Sequence, residues 1–112
     1  MRRRPGTLLP LEVDILEAGL GLDRFHGFQL AKALADHQGP RALTGHGTLY
    51  KALQRLEDAG LLASRWEDPA VAAVEGRPRR RLYQVTGAGE HTLAAWRARQ
   101  GVARPRPRLE PT

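Results

Sequence analysis

The fold is decided by residues 46–60, which read HGTLYKALQRLEDAG. Their apolar residues recur with the spacing of one face of an α-helix, at Leu49, Ala52, Leu53 and Leu56. Gly60 follows this pattern at the place where helices commonly end in a left-handed glycine. The sequence therefore predicts a helix that begins after Thr44, a suitable N-cap, and ends just before Gly60.

The opposite face of this helix is polar and mostly basic. It carries His46, Thr48, Tyr50, Lys51, Gln54 and Arg55. The major groove of DNA admits an α-helix, and side chains of these types reach base edges and phosphates there. The amides at the start of the helix, around His46, also suit a phosphate. A solvated amphipathic helix would show the same pattern, so this face is a candidate DNA surface that the rest of the chain has to support.

A first helix is predicted upstream, beginning at Pro10, because proline is tolerated in a first helical turn. Its apolar stripe consists of Leu9, Val13, Leu16 and Leu20. Glu12 and Glu17 fall off this stripe, and we expect Gly19 and Gly21 to end the helix.

A second helix is predicted over about 25–36. The residues that we expect it to bury are Phe28, Leu30, Ala31 and Leu34. Gly39 and Pro40 then stop it, since neither continues a helix well.

A β-hairpin is predicted after Gly60, from a strand over 61–66, a loop over 67–79 and a strand over 80–85. Thr86 is a suitable N-cap for a last helix that runs to about Gln100 and ends at Gly101. This order predicts a mainly α fold with a small β-hairpin, a winged helix-turn-helix with a C-terminal dimerisation helix. We expect a basic arm over 1–7, the domain over 8–100 and a flexible Pro/Arg-rich tail over 101–112.

The loop of the hairpin is strongly basic, because residues 76–81 read GRPRRR. Such a cluster repels itself unless a partner neutralises it, and arginines on a flexible loop can enter a narrow minor groove or hold flanking phosphates. Arg77, Arg79 and Arg80 are therefore predicted to bind DNA. Arg81 shares a strand face with Tyr83 and is expected to be partly structural.

Composition supports a polyanionic partner. The chain of 112 residues has 18 Lys and Arg against 12 Asp and Glu, which gives a formal charge of +6 and favours nucleic acid over an anionic membrane surface. It has no cysteine and no uninterrupted apolar stretch long enough to cross a bilayer, so we expect a cytoplasmic protein.

The sequence gives no indication of catalysis, a metal or a cofactor. His26, His37, His46 and His91 are far apart and show no metal-ligand spacing. A phosphate-cradling glycine pattern, a nucleophile elbow and a catalytic carboxylate pair are all absent from the sequence, so an enzyme is not expected.

Several motifs together resemble the PadR-like transcriptional regulators over about residues 8–98. They are HGFQL at 26–30, TGHGTLY at 44–50, GLL at 60–62 and GRPRR at 76–80. The chain departs from the family pattern in two places: it has one extra residue before Gly47, and residues 69–74 are inserted in the loop of the hairpin. We call this hairpin, residues 61–85, the wing. The resemblance implies a homodimeric repressor whose first and last helices pack on the partner, bound to a pseudo-palindromic operator.

The dimer is also favoured by the last helix, because Leu93 and Trp96 are expected to have little of their own domain to bury against. The predicted dimer and ligand residues are Leu9, Val13, Leu16, Leu93 and Trp96. Compact members of the family bind flat aromatic compounds through a tryptophan on the last helix, which implies that Trp96 stacks on a small aromatic effector or simply anchors the interface. A small aromatic-ligand sensor and a protein–protein assembly module stay open as alternatives.

Overall fold

The computed structural model describes residues 7–38 and 46–103, and these residues form five helices and a three-stranded antiparallel sheet. In chain order the elements are α1 (Pro10–Leu22), β1 (Arg24–Phe25), α2 (Gly27–Gln38), α3 (His46–Asp58), β2 (Leu62–Trp66), α4 (Pro69–Val74), β3 (Arg81–Val85) and α5 (Gly87–Ala103). The sheet order is β1-β3-β2, and α1 packs against α2, α3 and α5. This is the winged helix-turn-helix layout that the sequence predicts. Residues 1–6 of the expected arm over 1–7, residues 104–112 of the expected tail over 101–112, and the predicted boundaries at Gly39, Pro40 and Thr44 lie outside the described residues.

Helix α1 begins at Pro10 as predicted but does not end at its glycines. It continues to Leu22 and ends at Asp23, whose φ of 70° leaves the helical region and whose amide donates to the carbonyl of Gly19. Gly19 lies against β1, where a Cβ would be 2.8 Å from the ring of Phe25. The glycine therefore permits close packing of α1 on the sheet rather than terminating the helix.

Helix α2 begins at Gly27, two residues later than expected, because His26 and Gln29 cap it reciprocally. The amide of His26 donates to Gln29 Oε1 at 3.1 Å, and the amide of Gln29 donates to His26 Nδ1 at 3.2 Å. Phe25 precedes the cap and is fully buried in β1. The expectation that Phe28 is buried was wrong, since 69% of it is exposed. It lies two residues before the buried Leu30, and positions two apart do not share a helix face.

Helix α3 has the core face that its periodicity predicts. The buried set is Leu49, Ala52, Leu53 and Leu56, each at most 2% exposed. Gly60 has a φ of 79°, and the amide of Leu61 donates to the carbonyl of Leu56, which closes the last turn. The predicted helix end is confirmed.

The sheet contains one strand more than the predicted hairpin. β1 is only two residues long and pairs with β3, placing Arg24 opposite Gln84 and Phe25 opposite Tyr83. The rings of Phe25 and Tyr83 stack with centroids 5.9 Å apart. A two-residue strand leaves no periodicity in the sequence, so this tertiary contact was not predicted.

The wing contains a short helix where a loop was expected. Asp68 accepts a hydrogen bond from the amide of Ala70 at 2.8 Å, and Pro69 occupies the first helical turn. Ala72 of this helix, α4, is 2% exposed and is its buried contact. The signal was present in the Asp-Pro pair followed by alanines and valines.

Helix α5 is capped by Thr86 as predicted, with Thr86 Oγ1 accepting from the amide of Gly89 at 3.0 Å. The helix does not end at Gly101 and continues to Ala103. Leu93 is fully buried in the core of its own domain. The expectation that α5 has little of its own domain to bury against was therefore wrong, because α5 packs on α1 and β3.

The two glycines of α1 give a matched test of the packing. Gly19→Ala should lower the free energy of unfolding by about 1–3 kcal/mol, because the new methyl group meets Phe25 and Val85. Gly21→Ala has no atom within 4 Å of the new Cβ and should raise that free energy by up to about 1 kcal/mol. Urea denaturation of both variants measures the two changes. Equal effects at the two positions would contradict the close packing of Gly19.

Stability should depend on the protonation of His26. Burial of the ring, followed by the charges of Arg80 and Arg77, lowers the pKa of His26 from its usual value. The unfolded chain then binds more protons than the folded one as pH falls below about 6.5, so the free energy of unfolding decreases in that range. Protonation would also remove the Nδ1 acceptor that caps α2.

The measurement is the thermal midpoint at several pH values between 5 and 8. His26→Asn keeps a capping side chain that does not titrate in this range, and its midpoint should fall less than that of the wild type on acidification. His91→Asn, at an exposed position of α5, is the control and should keep the wild-type dependence. A wild-type pH dependence in His26→Asn would show that His26 does not contribute.

Candidate nucleic-acid interface

The outer face of α3 is exposed as its sequence predicts. The exposed residues are Thr48, Tyr50, Lys51, Gln54 and Arg55. Gln54 Nε2 donates to Asp58 Oδ1 at 2.8 Å, which holds the amide on the helix surface. His46 is the first residue of α3, and its side chain lies outside the described part of the chain. Lys51 and Gln54 thus occupy the middle of a polar helix face.

Tyr50 lies at one edge of this face and contacts the start of α2. A Cβ on Gly27 would meet the hydroxyl and ring of Tyr50, so only glycine permits this approach. Burial, followed by the nearby Tyr50 and Glu57, raises the pKa of Tyr83 beneath this contact. The first turns of α2 and α3 are therefore joined at the outer surface.

Arg55 lies at the other edge and has a role that the sequence did not indicate. Its Nε donates to Oε2 of Glu12 at 3.1 Å, and Oε1 of Glu12 accepts from the amide of Leu9 at 3.0 Å. Glu12 is fully buried, whereas the Arg55 side chain is 43% exposed. Arg55 therefore joins α3 to the first turn of α1, and replacing it would disturb the fold as well as any contact with DNA.

Arg77 in the wing is held by two carboxylates. Its Nη atoms donate to both oxygens of Glu67, at 2.7 and 2.9 Å, and its Nε donates to Glu75 at 2.8 Å. The hydrogen bonds from Arg77 lower the pKa of Glu67 to about 2, and Glu67 in turn raises the pKa of Arg77. With 17% of its side chain exposed, Arg77 stabilises the base of the wing. Its predicted contact with DNA stays a prediction.

Arg79 and Arg80 are exposed, and neither forms an ion pair with a carboxylate among residues 7–38 and 46–103. Arg79 Nε donates to the carbonyl of Glu67 at 2.9 Å, which orients the guanidinium without neutralising it. Arg80 Nη1 lies 3.1 Å from His26 Nε2. Residues 77–81 thus present two cations without an ion pair among the described residues, and Arg80 is the one beside the N-terminus of α2.

Arg81 is partly structural, as the sequence predicts. Its Nε donates to Ser64 Oγ at 3.0 Å, and Ser64 Oγ donates to Glu57 Oε2 at 2.6 Å. Arg81 Nη2 is 3.7 Å from the same carboxylate oxygen. These contacts connect the wing to the last turn of α3.

The predicted dimer and ligand residues divide into two groups. Val13, Leu16 and Leu93 are buried in the core of the protomer, with exposures of 5% or less. Leu9 is 49% exposed, and Trp96 is partly buried against the core. Leu9 and Trp96 are therefore the members of this set that present surface outside the core.

Three residues that organise this surface were missed from the sequence: Glu12, His26 and Glu67. A signal existed for Glu12, because glutamate three residues after the N-cap residue, here Leu9, is typical of a helix cap. His26 likewise stands three residues before Gln29, the reciprocal spacing of a cap. The pairing of Glu67 with Arg77 depends on the path of the wing, and nothing in the local sequence indicates it.

No helix among the described residues is long and apolar enough to span a membrane. Within the same residues, no group of three or more His, Cys, Asp or Glu side chains is arranged to hold a metal ion.

Several solved structures are similar to this fold, and three of them are described by identity, coverage and TM-score. A PadR-like transcription factor from Bacteroides fragilis is 27% identical, with 83% of this chain and 82% of that chain covered and a TM-score of 0.67. A PadR family regulator from Eggerthella lenta is 31% identical, with 83% and 80% covered and a TM-score of 0.62. Bacillus subtilis PadR in complex with operator DNA is 20% identical, with 95% of this chain and 54% of that chain covered and a TM-score of 0.62.

No curated protein shows significant sequence similarity to the chain. The profile of the transcriptional regulator PadR-like family matches residues 16–95, which include α2, α3 and the entire wing. The chain therefore belongs to the PadR-like family of transcriptional regulators.

Proposed function

We propose that the protein is a homodimeric repressor that binds double-stranded DNA at a pseudo-palindromic operator. The observation that carries the proposal is the uncompensated positive charge on α3 and on the wing. Lys51 on α3 and Arg79 and Arg80 in the wing are exposed and form no ion pair with a carboxylate of the described residues. Such cations suit the phosphates of a duplex. The operator complex of Bacillus subtilis PadR, which has the same fold, supports this choice of partner.

The two parts of the surface have different tasks in this proposal. Helix α3 enters the major groove, where Thr48, Lys51 and Gln54 reach base edges, and its first turn at His46 faces a phosphate. Arg79 and Arg80 hold phosphates or the adjacent minor groove, and they set position rather than sequence. Arg55 and Arg77 contribute mainly by keeping α3 and the wing in place, because both are held by carboxylates.

A dimer through α1 and α5 would present two copies of α3 about one DNA turn apart, roughly 34 Å, which matches a pseudo-palindrome. Leu9 and Trp96 are the contact residues that we propose, since both keep surface outside the protomer core. Trp96 also gives a flat aromatic effector a ring on which to stack at this interface, and such binding would release the operator.

Strong salt dependence is the first expected result. If the dimer neutralises about 6–10 phosphates, affinity for DNA should fall by roughly 10³–10⁵-fold between 50 and 200 mM salt. Fluorescence anisotropy with a labelled duplex from upstream of the protein's own gene measures this, with a random duplex of equal length as competitor. Failure to bind either duplex at 50 mM salt, or capture of an acidic protein partner without DNA binding, would refute the proposal.

Replacing α3 and wing cations should have different consequences. Lys51→Ala should reduce the ratio of operator to random affinity, because a base contact is lost. Arg80→Ala should weaken binding to both duplexes about equally and reduce the slope of log affinity against log salt by about one unit. Anisotropy titrations at several salt concentrations separate the two effects.

The two variants control for each other, because each removes one exposed cation that has no ion pair among the described residues, and only the element that carries it differs. If Lys51→Ala, like Arg80→Ala, weakened binding to the operator and the random duplex equally, the assignment of base contacts to α3 would be contradicted.

A further inference from the structure

Trp66, at the end of β2, is an exposed tryptophan whose ring is contacted by two arginines. It is 54% exposed, and the guanidinium carbons of Arg79 and Arg81 lie 5.8 and 5.3 Å from its ring centroid. Both distances are within the range of a cation–π contact. The sheet register produces this cluster, since Trp66 pairs with Arg81 and Arg79 lies two residues away along the same chain. The sequence alone placed Trp66 at the end of a strand and in the family resemblance, and assigned it no contact.

The ring lies close to two like charges in the wing. Because the guanidiniums of Arg79 and Arg81 contact one ring, each lies in the field of the other, and like charges repel. An indole ring attracts cations through its π face. Trp66 therefore offsets part of the repulsion between Arg79 and Arg81, which an aliphatic side chain would not do.

The cluster is connected to α3 through Arg81. Arg81 donates to Ser64 Oγ, which donates to the Glu57 carboxylate in the last turn of α3. Arg79, which also contacts the ring, is oriented by the carbonyl of Glu67. Contacts thus run without a break from α3 through Arg81 and Trp66 to Arg79, a cation that has no ion pair in the described part of the chain.

We infer that Trp66 is a positioning residue for DNA binding. It holds Arg79 at a fixed distance from α3, so that the wing meets a phosphate when α3 lies in the major groove. This inference rests on the proposed function and adds to it a residue that acts on DNA binding without touching DNA itself. It explains why a large aromatic side chain stands in solvent at the base of the wing.

The test compares Trp66→Leu with Trp66→Phe in the full chain, by anisotropy titration on operator and random duplexes between 50 and 200 mM salt. Trp66→Leu should weaken binding to both duplexes by up to about tenfold and reduce the salt slope by about one unit, as Arg79→Ala should. Trp66→Phe keeps a π face and should restore most of the loss. The double variant Trp66→Leu/Arg79→Ala should bind no more weakly than Arg79→Ala alone.

Val74→Ala is the control for apolar surface in the wing, because Val74 is 87% exposed on α4 and should leave affinity and slope unchanged. Thermal melting checks that each variant is folded, and Trp66→Met replaces Trp66→Leu should the latter not fold. The inference would be overturned if the aliphatic variant kept the wild-type salt slope, or if the aliphatic and Phe variants lost the same affinity for DNA. The proposed function would stand in either case. A wild-type protein that binds no duplex would overturn both.

Discussion

The contact between Glu12 and Arg55 is the constraint on which the proposed DNA surface depends. A fully buried carboxylate requires hydrogen-bonding partners because its transfer from water is costly. Glu12 finds the amide of Leu9 at the start of α1 and the guanidinium of Arg55 on α3. The same charge therefore closes the first turn of α1 and fixes the outer helix against it, so the position of α3 is set by electrostatics as well as by its apolar face.

The arginines of the wing are sorted by the same principle. In the sequence, residues 77–81 present four equivalent cations, yet the structure divides them by the carboxylates within reach. Arg77 is neutralised by Glu67 and Glu75, and Arg81 approaches Glu57. Arg79 donates to a backbone carbonyl and Arg80 lies beside the ring of His26, so neither guanidinium has an ion pair in the described part of the chain. Residues 77–81 therefore offer a nucleic acid two cations without such an ion pair, where their sequence suggests four.

Periodicity and caps predicted much of the fold because they depend on neighbours in sequence. The buried face of α3, its end at Gly60 and the start of α5 at Thr86 all follow from spacings of a few residues. The two-residue strand β1 and the burial of Glu12 depend on partners roughly forty to sixty residues away, at Tyr83 and Arg55, and local patterns contain no record of them. The types of residue in the sequence were enough to predict the candidate site. The fold was needed to tell which of its arginines are held by carboxylates and which are left without an ion pair among the described residues.

Two contacts hold α3 to other elements, and together they limit how far the helix can move. One joins α3 to α1 through Arg55, and the other joins α3 to the wing through Glu57, Ser64 and Arg81. Both therefore meet on the same helix, and α3 cannot shift without straining a hydrogen bond at each edge. A surface built in this way presents its side chains with little reorganisation on binding. In the proposed dimer, discrimination between operators would then come from the spacing and orientation of two rigid copies, so contacts of α1 and α5 with the partner would matter for sequence choice without touching DNA.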